Sequence, residues 1–194
     1  RSTKQATVKC ASAPHRFQEV RQIGSESSIV IPRHSSENRE YLPASPCPND
    51  SIVADSAFAF YDSELWNLGI VCSRIHLVWI ATICGKIKTD YRYSNTLGWN
   101  TFPIPELTKK NKEDLRLTTE DILLARESHY PDTLAELYEE GQMPENLREA
   151  HERNDEVLER IYIGRRFKND TERLEKLFEL YVKMTETPQK LEFN

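Results

Sequence analysis

The sequence is poor in glycine, and its six glycines stand far apart, at positions 24, 69, 85, 98, 141 and 164. A nucleotide or methyl-donor loop needs clustered glycines, where backbone can approach the ligand closely. This spacing excludes one. Also missing are a Gly-x-Ser-x-Gly elbow, a His-Glu-x-x-His pair and a phosphate-loop lysine, so the chain carries no catalytic centre of those classes. Pro131-Asp132 begins like a metal-dependent nuclease motif, but no Glu-x-Lys follows on a strand. Long apolar runs are scarce too. The longest, Leu65 to Cys84, is interrupted by Asn67, Ser73, Arg74 and His76, whereas a membrane span needs about 18 uninterrupted residues. A buried helix is expected there, and no membrane association. The four cysteines, Cys10, Cys47, Cys72 and Cys84, are too sparse for a disulfide scaffold and fit a reducing, cytoplasmic setting. Arg1-Ser2-Thr3-Lys4 offers neither an initiator Met nor a signal peptide's apolar core, which leads to the expectation of a piece of a longer polypeptide.

Positive charge is also short, with 26 Lys+Arg against 31 Asp+Glu and a net charge of −5. The deficit is unevenly placed. Residues 1–107 hold 11 basic and 10 acidic residues (+1), leaving 15 and 21 for residues 108–194 (−6). The first part remains free to meet phosphates, through a small basic patch.

What is present begins with turn formers and short β-rich runs. Phe17 to Ile23 alternates with period two before Gly24-Ser25 turns the chain. Ser28-Ile29-Val30-Ile31 reads as a strand ending at Pro32, followed by a polar loop, Arg33 to Arg39. Pro43 to Asn49, with three prolines, reads as a loop. Ser51 to Ala54 and Phe58 to Tyr61 read as further short strands. Asp62 is placed to cap one long helix running to Cys84, with Leu65, Leu68, Cys72, Ile75, Trp79 and Ile83 on its apolar stripe. Cys72 and His76 share a face and would make half a metal site, but no second ligand pair is visible, so core packing is the preferred reading.

From Thr108 the pattern turns helical: Lys112 to Glu127, a short helix after Asp132, Pro144 to Ile163, and one from Asp170 placing Leu174, Leu177, Phe178 and Tyr181 together. The fold class is therefore α+β. A mixed β-rich domain with one long buried helix over 1–107 is followed by an all-α region over 108–194.

The segment richest in chemistry is Lys86-Ile87-Lys88-Thr89-Asp90-Tyr91-Arg92-Tyr93-Ser94. Read as one strand, it points Lys86, Lys88, Asp90 and Arg92 one way, with Lys88 and Asp90 about 7 Å apart at their roots. Guanine offers two acceptors in the major groove and its paired cytosine a donor, so a lysine and an aspartate side by side can read a G·C pair from both sides. A carboxylate is repelled by phosphates, which makes it a discriminator rather than a general DNA contact. Lys86 and Arg92 would lie over flanking bases or phosphates, as would Asn95. Arg33, Ser35, Ser36 and Arg39 are phosphate ligands by residue type, and Arg33→Ala is then expected to weaken binding to all sequences alike. The Gly164 to Lys168 cluster reads as a turn whose arginines pair with neighbouring acids. An alternative for the whole chain is a helical protein-interaction module, without DNA contact, docking on another domain or partner subunit.

Several stretches carry a resemblance: Ser35-Ser36-Glu37-x-Arg39-x-Tyr41-Leu42-Pro43, Ala54-Asp55-Ser56-Ala57, Lys88-x-Asp90-Tyr91-Arg92-Tyr93-Ser94-Asn95-Thr96, Asn100-x-Phe102-Pro103-x-Pro105, and Ile161-Tyr162-x-Gly164-Arg165-Arg166-Phe167. Together they span most of the chain, which resembles the C-terminal part of the MmeI-like type II restriction-modification enzymes. In that family a nuclease, an adenine-specific DNA methyltransferase, a target recognition domain and a helical tail share one polypeptide. The resemblance implies double-stranded DNA as partner, alongside an upstream methyltransferase domain of the same polypeptide. It also implies that Lys88 and Asp90 occupy positions the family varies to choose a base pair. It further implies S-adenosylmethionine for methylation and a divalent metal such as magnesium for cleavage, both bound outside this piece, with no cofactor in it.

Overall fold

The computed structural model describes residues 4–13, 15–16 and 23–186. Apart from Ile23, the alternating run expected as a first strand lies outside the described residues. A short helix α1 (Gln5–Lys9) precedes two three-stranded antiparallel sheets. The first has the order β3-β1-β4, with β1 (Ser28–Pro32) central, β3 (Ser45–Cys47) and β4 (Ala57–Tyr61). The proline-rich loop thus contributes a strand of its own. Pro46 is accommodated because β3 is an edge, where a missing N–H costs no ladder bond. Ser51 to Ala54, expected as a strand, is not one.

The second sheet has the order β2-β6-β5, built from β2 (His34–Ser35), β5 (Lys86–Ile87) and β6 (Asp90–Arg92). The polar run after Pro32 therefore begins as a strand. Arg33 is the seam between the sheets: its N–H donates to Ser56 O beside β4, and its carbonyl accepts from Tyr93 N just beyond β6.

The long helix expected from Asp62 to Cys84 is two helices, α2 (Trp66–Val71) and α3 (Arg74–Ile83), and Asp62 instead takes a positive φ of 50° in a turn. Ser73 makes the break. Its hydroxyl donates to Ile70 O, closing α2, and accepts from His76 N, opening α3. Both helices are apolar nearly all round because both their sides are covered. Leu68, Val71, Leu77 and Ile80 pack with the sheet residues Ile29 and Ile31. Ile70, Ile75 and Trp79 pack with Phe102, Leu158 and Leu177 on the opposite side. This arrangement is a sandwich of sheet, buried helix pair and outer helices.

The outer helices are α4 (Lys109–Glu127), α5 (Leu134–Leu137), α6 (Glu145–Ile163) and α7 (Asp170–Glu186). Thr108 caps α4 and Gly164 ends α6 in the left-handed conformation at φ 77°. The fold is α+β, strands first and helices after. Gly69 of α2 sits where α4 and α6 press in: a Cβ there would lie 2.8 Å from Asn154 Oδ1 and still closer to Thr119 Oγ1. Asn154 donates to Gly69 O at 2.8 Å, so only a bare backbone fits.

Candidate nucleic-acid interface

The Lys86–Arg92 segment does not run as one strand. β5 and β6 form a hairpin whose two turn residues are Lys88 and Thr89. Lys88 takes φ 57°, a left-handed value that hairpin turns require at the first position and that a side chain adopts at a cost of about 1–2 kcal/mol. This corrects the expected geometry. Residues paired across an antiparallel ladder share a face, and the register pairs Ile87 with Asp90, Lys86 with Tyr91, Ser35 with Tyr91, and His34 with Arg92. Ile87, Asp90, Arg92 and His34 therefore share one face, and all four are exposed. Lys86 falls on the other face with Tyr91 and Ser35, where its ammonium lies 5.4 Å from the Tyr91 ring centre and 3.3 Å from Glu37. Lys88 stands at the tip, exposed like Asp90, and the two are not neighbours along a single strand face.

The Arg33 side chain lies over the Phe58 ring at 4.9 Å and pairs with Asp55 at 3.1 Å. Asp55 is 95% exposed, so this is a cation–carboxylate pair presented to solvent. An open cleft of about 390 Å³ joins the seam to the hairpin, lined by Arg33, Phe58, Gly85, Arg92, Tyr93 and Ser94. Asn95, exposed, follows at the start of a π-helical turn (Asn95–Trp99). Among the described residues, no carboxylate lies within ion-pairing distance of Lys88 or Arg92.

Three residues expected as phosphate ligands are placed differently. Ser35 is 5% exposed and its hydroxyl is enclosed, so it cannot reach a backbone phosphate. Ser36 accepts from Asn38 N in its own loop, and with Arg39 it lines a groove shared with Glu136, Glu139 and Glu140. Those carboxylates set a local field that opposes an incoming phosphate. Two further side chains that the sequence reading did not single out join this surface, Asp55 and His34. Asp55 was legible only as part of a matching stretch, since nothing local links it to Arg33, 22 positions away. His34 becomes a neighbour of Arg92 only through sheet register.

Elsewhere, the chemistry turns inward. Cys72 and His76 are both fully buried: Cys72 lies against Ala44 O and Arg126, and His76 shares a hydrogen bond with Tyr93 and is surrounded by the Trp99 and Phe102 rings. Burial drives the His76 pKa down to about 3, so the ring is neutral. Among the described residues, no group of His, Cys, Asp or Glu is arranged to hold a metal ion, and no helix is long and apolar enough to cross a membrane. In the Gly164 turn, Arg165 pairs with Glu172, and Arg166 lies 4.0 Å from Glu159, which Arg173 already holds at 2.5 Å.

Comparison with known proteins gives consistent matches. Residues 1–106 match the target recognition domain of MmeI, and residues 107–188 match the MmeI C-terminal domain. DNA methyltransferase A of Bacillus subtilis (strain 168) is 43% identical over 186 residues, covering 96% of this chain and 21% of that protein. The type IIL restriction-modification enzyme MmeI, whose structure was determined in complex with DNA, superposes with a TM-score of 0.88 at 30% identity, over 95% of this chain and 25% of that one. The chain thus spans between a fifth and a quarter of the length of the relatives it matches.

Proposed function

Since this chain belongs to the MmeI family, by its target recognition domain and its C-terminal domain alike, we propose that it reads the sequence of double-stranded DNA on behalf of a site-specific, adenine-N6 DNA methyltransferase of a restriction-modification system. The observation that carries this reading is the β5–β6 hairpin, an exposed projection bearing a cation at its tip and a carboxylate and a guanidinium on one open face, with the imidazole of His34 on the neighbouring β2 beside them. A two-stranded ribbon of this kind fits the major groove. Lys88 would donate to guanine and Asp90 would accept from its paired cytosine. Arg92 and Asn95, with Lys86 behind them, would meet flanking bases or phosphates. Arg33 changes role. With an exposed carboxylate 3.1 Å away, it is better suited to a base edge than to a phosphate, so Arg33 and Asp55 form a second reading pair.

In this reading an upstream methyltransferase domain supplies the chemistry. S-adenosylmethionine and a divalent metal do not fit the residues of this chain, which has no glycine-clustered loop and, among the described residues, no ligand cluster.

The test is to express the full-length protein in a bacterial host free of DNA methylation and map the methylated sites. Lys88→Glu combined with Asp90→Arg should change the chosen base at one position and keep the others, since a bidentate contact discriminates by about 1–3 kcal/mol. An unaltered target sequence removes the reading role from the hairpin. Arg33→Ala should relax a different position; uniform weakening with a shallower salt dependence would return Arg33 to a phosphate contact. Footprints that never reach residues 33–39 or 86–95 would favour the interaction-module alternative.

A further inference from the structure

The stretch from Glu37 to Tyr41 touches both halves of the molecule. At one end Glu37 pairs with Lys86 at 3.3 Å, and its carbonyl accepts from Tyr91 OH at 3.4 Å, so it holds both strands of the hairpin. One residue on, Asn38 donates to Glu140 at 2.9 Å. Glu40 is bonded to Arg148 of α6. Tyr41 is buried, its ring stacked on His151 at 4.1 Å and its hydroxyl donating to Asp155 at 2.9 Å. Asp155 is itself held by Arg74 N at 2.8 Å, at the start of α3. Four residue steps span at most about 14 Å. A link that short, pinned at both ends, transmits the position of one end to the other.

We propose that Glu37–Tyr41 is a strap by which the helical half sets the register of the reading hairpin on DNA, with Glu40 and Tyr41 as positioning residues that touch no DNA. The proposal rests on the DNA-reading function above. It accounts for an acidic helical half in a DNA-binding protein: those helices position the reader and contribute little to affinity. A recognition surface must be held to within about half an ångström, and a loosened support degrades selection before it degrades attraction.

The experiment uses the full-length protein and a randomised pool of duplexes, sequencing those bound, with affinity for a fixed non-specific duplex measured in parallel. Tyr41→Phe should blur the selected motif, its preference for the best site over single-mismatch sites falling about tenfold, while non-specific affinity stays unchanged. Glu40→Gln should blur it about threefold, in keeping with the modest strength of an exposed pair. That variant removes a negative charge, so a purely electrostatic role for Glu40 would instead leave the motif sharp and tighten binding to all DNA. Glu40→Arg with Arg148→Glu should restore sharpness. If Tyr41→Phe proves unstable on melting, the surface variants Glu40→Gln and the Glu40/Arg148 exchange decide alone. A motif as sharp as the parent's, or a loss equal across all sequences, overturns the strap. Lys88→Glu with Asp90→Arg serves as the reference. If it moves the motif while the strap variants do not, only the strap falls; if it leaves the motif unchanged, the reading itself falls and the strap with it.

Discussion

The hairpin and the helical half use charge in opposite ways. On the helices, cations are tied to carboxylates: Arg116 to Glu113 and Glu120, Arg153 to Asp121, Arg160 to Glu156, Arg165 to Glu172, and Arg173 to the buried Glu159 and to Asp170. Even the buried Arg126 is held within the chain, donating to Ala44 O and Tyr138 OH. On the hairpin, Lys88, Asp90 and Arg92 face solvent, raised on a turn that puts a lysine in a left-handed conformation. Groups satisfied within the chain hold the fold. Groups left open on a strained projection are available to a ligand.

Substitutions should separate the two regions. The largest effect on stability is expected at Gly69, where α4 and α6 leave no room for a methyl group. Gly69→Ala should lower stability by about 1–3 kcal/mol, read as a drop in melting temperature. An unchanged melting temperature would mean that the helices yield at no cost.

Next comes a pH effect from Asp155, whose pKa is raised to about 7 by burial, against the hydrogen bonds from Arg74 N and Tyr41 and with the nearby Glu159 adding to the rise. Between the unfolded value near 4 and about 7, the folded state holds a proton that the unfolded state lacks. Stability therefore falls as pH rises through that window, by at most about 1.4 kcal/mol per pH unit from this group. Above about 7 the carboxylate is charged in both states, and the contribution levels off. Denaturant midpoints at pH 5.5 and pH 8 should show this decline in the parent and a flatter response in Asp155→Asn. Equal slopes would show that Asp155 is ionised in the fold.

The smallest stability change is expected at the hairpin tip. Lys88→Gly relieves the left-handed strain and should leave stability unchanged or raise it by up to about 1 kcal/mol, while the choice of base at its one position is relaxed. Such a variant would separate reading from folding. A destabilised Lys88→Gly would show instead that the lysine is part of the scaffold.

The helical half was legible because each helix carries its own punctuation. Pro144 before α6 and Gly164 after it mark boundaries through local hydrogen bonding and allowed dihedrals, and the apolar stripe of α7 repeats at helical spacing. By contrast, α4 starts at Lys109, three residues before the expected Lys112, because Thr108 caps it. The hairpin was located but misshapen for a physical reason. Its turn, Lys88-Thr89, lacks the glycine or asparagine that usually announces one. A two-residue turn also inverts the parity of the side chains that follow, so Lys86, expected beside Asp90, lies on the opposite face. Ser35 looked available because a serine after a polar run gives no sign of burial, and Ser73 broke a helix that apolar periodicity alone would continue.

Local chemistry in the chain determined that there would be short strands, a buried apolar segment and an outer set of helices, and that Lys88 and Asp90 would be exposed. These follow from backbone preferences and from the cost of burying charge. Only tertiary structure decided which residues meet: Arg33 with Asp55, His34 with Arg92, and the Glu37–Tyr41 segment between hairpin and helices. Those contacts join residues with no local relation in sequence, so they exist only once sheet register and helix packing bring them together.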